Sequence, residues 1–196
     1  MSAVRSLTLA DRALPRPGAL HQLLLITGAS LLTALSAQIA IPVPWSPVPL
    51  TGQTFAVLLT GAVLGARRAF LAQALYLVEG ASGLPVFAGG ASGIVRLIGP
   101  TGGYLVAFPF AAALVGALAE RGWDRRFLGM AAAMVLSSAI IFASGLAWLS
   151  RFVPGETLLA QGLIPFVPGD LIKSALAALV FPWAWRWVDR GPGIDA

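Results

Sequence analysis

The chain has 196 residues, 58% of them hydrophobic and only 11% charged, whereas an ordinary soluble domain is about 45–50% apolar and about 25% charged. Apolar stretches run along the whole length, which excludes a soluble globular protein and predicts a single all-α integral membrane domain. The net charge of +5 sits largely on arginines clustered between apolar runs; such clusters set membrane topology and are no sign of nucleic-acid binding. The absence of cysteine excludes disulfides and thiolate metal sites.

Residues 1–19 lack the continuous apolar core and small-residue cleavage site of a signal peptide and read as a cytoplasmic tail. Residues 20–188 then carry six apolar segments. The first, Leu20–Ile41, would be about 33 Å long as a helix, enough to span, and stops at PVPWSP, where prolines cannot continue it. The second (Gln53–Leu64) and third (Ala69–Val78) are separated by GARR at 65–68. Two arginines at mid-membrane would be costly, so GARR marks a surface turn. A long Gly-rich loop follows. The fourth, fifth and sixth segments are Tyr104–Ala119, Phe127–Leu149 and Asp170–Val188, and residues 189–196 form a second tail.

With the N-terminus inside, Arg5, Arg12, Arg16, Arg67, Arg68, Arg121, Arg125, Arg126, Arg186 and Arg190 fall on the inner side. Arg96, Arg151 and Lys173 remain for the outer side. That bias predicts a six-transmembrane-helix bundle with both termini inside. The inner connections are short, whereas the outer ones are long and rich in Pro, Gly and aromatics. Long ordered loops tend to carry function, so the outer face is the working face.

The outer end of the last segment reads VPGDLIKSALAALVFPW and holds the chain's only lysine. Asp170 and Lys173 lie one turn apart on one helix face. One reading is a helix cap with a snorkelling lysine. The other is a polar ligand site, since charges within membrane segments usually face a cavity or a partner. Arg96, the one charge in the long second outer loop, either meets water or lipid phosphate or grips an anion. Glu79 suits a structural cap or pair, Thr51 a cap, and Gln53 a pocket. Nothing points to an enzyme. GASG at 80–83 and 90–93 has no base nearby, the lone His21 falling at the inner end. GPTGG lacks the lysine of a phosphate-binding loop, and no metal-binding cluster is present. Neither a cofactor nor a metal is expected. Uphill transport would therefore draw on an ion gradient or on another chain. Ala29, Thr33 and Ala37 form a small-residue row on the first segment, suited either to packing within the chain or to docking a partner membrane protein.

Four blocks in order, QIAIPVPWSPVPLTGQTFAVLLTGAVLGARR, GLPVFAGG, LIGPTGGYLVAFPFAA and IPFVPGDLIKSALAA, resemble the BioY family, the biotin-specific S components of energy-coupling-factor (ECF) transporters. The resemblance implies a vitamin site near the outer surface of a bacterial cytoplasmic membrane protein, with the loop after the first helix as a lid. It implies roles for Asp170 and Lys173 in binding biotin and places Arg96 in a loop bordering the site. It also implies a transmembrane coupling subunit and two ATPase subunits as partners, with Ala29, Thr33 and Ala37 as the docking row. Some relatives carry an asparagine in the GLPVFA region that helps hold the ureido ring. This chain has no asparagine, so backbone groups of Gly89 and Gly90, Gln53 or a water would take that role.

Biotin suits such a site. An Asp carboxylate accepts ureido N–H groups, a Lys or Arg meets the ureido oxygen or the tail carboxylate, and Trp45, Phe87 and Tyr104 wall the apolar ring. Surrounding membrane lipid is the other expected contact, and a homo-oligomer stays open. The competing reading is a stand-alone secondary transporter of biotin or another small vitamin. Against it, no acidic residue other than Asp170 is placed deep in a segment.

Overall fold

A computed structural model describes residues 7–13 and 18–189. Arg5, Arg16 and Arg190, three of the residues used to assign topology, lie outside the described residues. Among the described residues the regular structure is helical, apart from one pair of two-residue strands. A short helix α1 (Leu9–Ala13) precedes the long α2 (Ala19–Ala37). Strands β1 (Ala40–Ile41) and β2 (Leu50–Thr51) pair antiparallel, with Ala40 opposite Thr51 and Ile41 opposite Leu50. Helices α3 (Gln53–Leu64) and α4 (Ala66–Ala81) follow, then a 3-10 turn at Ala88–Gly90 and the short α5 (Val95–Ile98). The remaining helices are α6 (Gly102–Ala119), α7 (Phe127–Leu149), α8 (Gly155–Gly162) and α9 (Val167–Asp189).

Among the described residues, four stretches are long and apolar enough to cross a membrane: α2, α6, α7 and the last one, in which α8 and α9 count together. Helices α3 and α4, at 12 and 16 residues, reach only about 18 Å and 24 Å. Helix α6 is the hub and packs on α3, α4 and α7. Its apolar window is 72% buried, against 22% for α2, because GGYLVAFPFAAALVGALA is apolar on every side and needs no solvent or lipid face. Close approach is built in at Gly116, where a Cβ would stand 2.5 Å from the backbone of Gly65 and Ala66. One turn on, Glu120 Oε1 accepts the Ala66 N–H at 2.9 Å and so caps α4.

The structure differs from the sequence-based expectations in four places. The first helix ends at Ala37 rather than Ile41, because the proline-rich stretch folds back as the β1–β2 hairpin. Arg67 and Arg68 lie in the first turn of α4, with Gly65 alone making the turn. Within the N-terminal tail, residues 7–13 are docked rather than free. Asp11 pairs with Arg68 at 2.7 Å, Arg12 with Asp189 at 3.4 Å, and Ala10 is buried.

The fourth difference concerns Ala29, Thr33 and Ala37, all buried within this chain and therefore not an exposed docking row. The small side chains turn inward because α4 packs against α2 there. Gln73 on α4 donates to Thr33 Oγ1 at 3.0 Å and to Thr60 Oγ1 at 3.2 Å. The outward surface of α2 is instead leucine-rich, with Leu20, Leu23, Leu24, Leu31 and Leu35 exposed.

Candidate functional site

One cavity lies at the end of the bundle opposite the GARR turn. There α3 begins, α6 begins and α9 begins, and the hairpin and the α4–α6 and α7–α9 connections converge. They enclose a cavity of about 110 Å³. Apolar side chains form most of its wall, including Tyr104, Leu105 and Phe108 of α6, Phe142 of α7, Phe87 and Phe166. Set into that wall are three charged residues, Asp170, Lys173 and Arg96, with Gln53 and the threonines 51, 54 and 101.

Asp170 belongs to the first turn of α9, beyond the N-cap position. It is 9% exposed, and its Oδ1 accepts the Ser138 hydroxyl of α7 at 2.9 Å. Lys173 Nζ does not pair with it within ion-pair distance. It donates to the Thr51 carbonyl at 2.9 Å and to Thr54 Oγ1 at 3.4 Å. The two charges thus sit on one cavity, each held by a neighbour other than its opposite. That leaves further lone pairs on the carboxylate and a further N–H on the ammonium for a guest. Arg96 on α5 is exposed and has no ion pair among the described residues.

Gln53, 4% exposed, is held at both ends of its amide. Its Oε1 accepts from Thr51 Oγ1 at 3.0 Å, and its Nε2 donates to Tyr76 Oη at 2.6 Å. Tyr76 Oη in turn donates to the Val86 carbonyl at 3.0 Å, which ties the loop after α4 to the start of α3. Phe87 follows directly. Its ring meets Tyr76 edge-on at 5.5 Å and fills the space above Gly80, where a Cβ would come within 2.1 Å of Phe87 Cζ. Tyr104 Oη donates to the Gly162 carbonyl at 2.7 Å. Glu79 accepts the Ser30 hydroxyl at 2.5 Å and is taken up structurally.

Six of the nine residues singled out as ligand contacts are therefore brought together: Asp170, Lys173, Arg96, Gln53, Phe87 and Tyr104. Three are not among the lining residues. Trp45, 63% exposed, stands on the hairpin connection, and Gly89 and Gly90 are exposed at positive φ, where Ala88 rather than either glycine faces the cavity. Sequence reading missed Ser138, Phe142 and Phe166. Ser137-Ser138 is a polar pair inside an otherwise apolar helix, a signal for an interior contact that was available.

The β1–β2 hairpin and α8 meet near this end. Ser46 Oγ on the hairpin donates to the Gln161 carbonyl at the end of α8, at 2.6 Å. The arrangement defines a multi-pass membrane protein with a cavity bordered by loops at one end.

The chain belongs to the BioY family, whose model matches residues 7–190. It is 40% identical over 149 residues to a probable biotin transporter BioY of Pyrococcus horikoshii, covering 76% of this chain and 86% of that one. The biotin transporter BioY of Thermotoga maritima is 43% identical over 141 residues, covering 71% and 82%. The fold is similar to the crystal structure of the S component for biotin from an ECF-type ABC transporter. That comparison gives a TM-score of 0.73 and 25% identity, over 88% of this chain and 93% of the other.

Proposed function

We propose that this chain binds biotin in the cavity between α3, α6 and α9 and acts as the biotin S component of an ECF transporter in a bacterial cytoplasmic membrane. The observation that carries the reading is the convergence of Asp170, Lys173 and Arg96 on one otherwise largely apolar cavity. Charges are retained at such a place at a cost, and a guest with matching polar groups repays it. Biotin has a neutral ureido group, an apolar thioether ring and an anionic tail. The Asp170 carboxylate accepts ureido N–H, Lys173 and Arg96 meet the ureido oxygen and the tail, and Phe87, Tyr104 and Phe166 flank the ring.

The hairpin is the lid in this reading. Lys173, which donates to the Thr51 carbonyl, exchanges that acceptor for the ligand. Six helices, α2, α3, α4, α6, α7 and α9, cross the membrane, with the GARR turn and both termini inside. A transmembrane coupling subunit and two ATPases supply the energy.

The test is equilibrium binding of biotin to the purified full chain in detergent, with uptake measured in vesicles carrying or lacking the ATPase partners. Submicromolar binding together with ATP-dependent uptake is expected. A folded chain that does not bind biotin sinks the ligand assignment. Uptake driven by an imposed ion gradient without partner chains would make the protein a secondary transporter instead.

A further inference from the structure

At the end opposite the cavity, the turn between α6 and α7 carries Arg121, Arg125 and Arg126 within six residues. All three are exposed, and an open cleft of about 970 Å³ runs between them, Trp123 and the first turn of α7. None of the three makes an ion pair among the described residues. Of the acids adjacent in sequence, Glu120 accepts the Ala66 N–H at 2.9 Å, and Asp124 is buried and receives the Trp185 indole N–H at 2.6 Å. Arg125 lies flat over the Trp185 ring at 4.3 Å, which fixes its guanidinium at one wall.

The other wall is apolar and faces outward: Phe127 is 47% and Leu128 78% exposed, with Ala132 a turn further along α7. The first N–H groups of α7 have no side-chain cap and add positive potential on the same side. Cations at the rim and bare hydrocarbon running down a membrane helix from them are the two halves of an amphiphile's complement. The three guanidiniums match a phosphate, which Arg grips through paired N–H groups, and Phe127 and Leu128 match an acyl chain. A soluble phosphate would use the first half and leave the second bare.

We infer that the α6–α7 turn is a binding site for an anionic phospholipid, whose phosphate sits among Arg121, Arg125 and Arg126 while its acyl chain lies along Phe127, Leu128 and Ala132. The site is separate from the ligand cavity and does not depend on which vitamin that cavity takes. Basic pockets at the ends of membrane helices are a known means of holding anionic head groups.

The experiment is native mass spectrometry of the delipidated full chain with phosphatidylglycerol or phosphatidylcholine. A photoactivatable phosphatidylglycerol is cross-linked to the unaltered protein in parallel. Phosphatidylglycerol is expected to be retained at least about tenfold better than phosphatidylcholine, with cross-links concentrated in residues 121–132. R121Q/R126Q is expected to lose the preference, while R67Q, a change of equal charge type at the same end, keeps it. Equal retention of the two lipids, or cross-links spread evenly around the bundle, overturns the site. Loss of the preference in R67Q to the same degree reduces it to bulk charge and also overturns it. Displacement of the lipid by millimolar inorganic phosphate would assign the arginines to free phosphate and refute the lipid. Because the cross-linking uses the unaltered chain, the outcome stands even if the double variant fails to fold.

Discussion

Replacing Lys173 with methionine keeps the length and the apolar stem of the side chain and removes only the ammonium. That group donates to the Thr51 carbonyl at 2.9 Å and reaches Thr54 Oγ1 at 3.4 Å. If it also meets bound biotin, its loss removes one charge-assisted hydrogen bond, about 1.5–3 kcal/mol. At about 1.4 kcal/mol per tenfold, affinity should fall about 10- to 150-fold. The Asp170 carboxylate does not become an orphan, because Ser138 still donates to it, so the protein should fold and the effect should be read in binding rather than expression. A calorimetric biotin titration measures the affinity, and hydrogen exchange on the same sample reports the hairpin. Exchange at residues 50–52 should speed up, since the tether on β2 is gone. An unchanged affinity in folded K173M, with or without a looser hairpin, would refute the ligand role and leave Lys173 as a tie for the loop.

Three further outcomes follow from the same geometry. Gly80→Ala places a Cβ 2.1 Å from Phe87 Cζ, so the ring must leave its seat. The expected cost is about 1–3 kcal/mol of stability, seen as a lower melting temperature, with biotin binding weakened because Phe87 is a cavity wall. Ser138→Ala removes the hydrogen bond that orients Asp170, so about tenfold weaker binding is expected together with a lower melting temperature, because the buried carboxylate loses its donor; full affinity would show that the orientation is immaterial. Asp124, in the turn before α7, has its carboxyl pushed up from 3.8 to about 6 by burial, which the Trp185 indole and Arg125 only partly offset. The unfolded chain gives up that proton first as the pH rises from about 4 to about 6, so stability falls across this window and levels off above it. D124N should flatten that slope in melting curves, and an identical slope in both proteins would contradict the buried, raised carboxyl.

The apolar segments were legible in the sequence because lipid demands long hydrophobic runs, and the ends of α3 and α7 coincide with those runs. The end of α2 was not legible: Ile39-Ala40-Ile41 is as apolar as the helix before it, and only the pairing with Leu50-Thr51 turns it into a strand. Short α5 and α8 carry no spanning signal and hide in the loops. Among the site residues, charges were readable because a membrane segment tolerates few of them. Trp45 and the two glycines were not, since residue type cannot tell which side of a loop faces inward. The partners of Asp170 and Lys173 lie 32 and 122 residues away in the chain, a distance that pattern reading does not cross. The small-residue row was visible as a row, but its direction was decided by Gln73 and Thr60 on two other helices.

The two ties of the hairpin, Ser46 to Gln161 and Lys173 to Thr51, share an asymmetry. Each donor is a side chain, and each acceptor is a main-chain carbonyl. Every amino acid supplies that acceptor, so codons 161 and 51 can drift without erasing the bonds, whereas codons 46 and 173 cannot. The information in these two ties is therefore written in two codons rather than four. A saturation library scored for folded protein should show tolerance at one member of each pair and intolerance at the other.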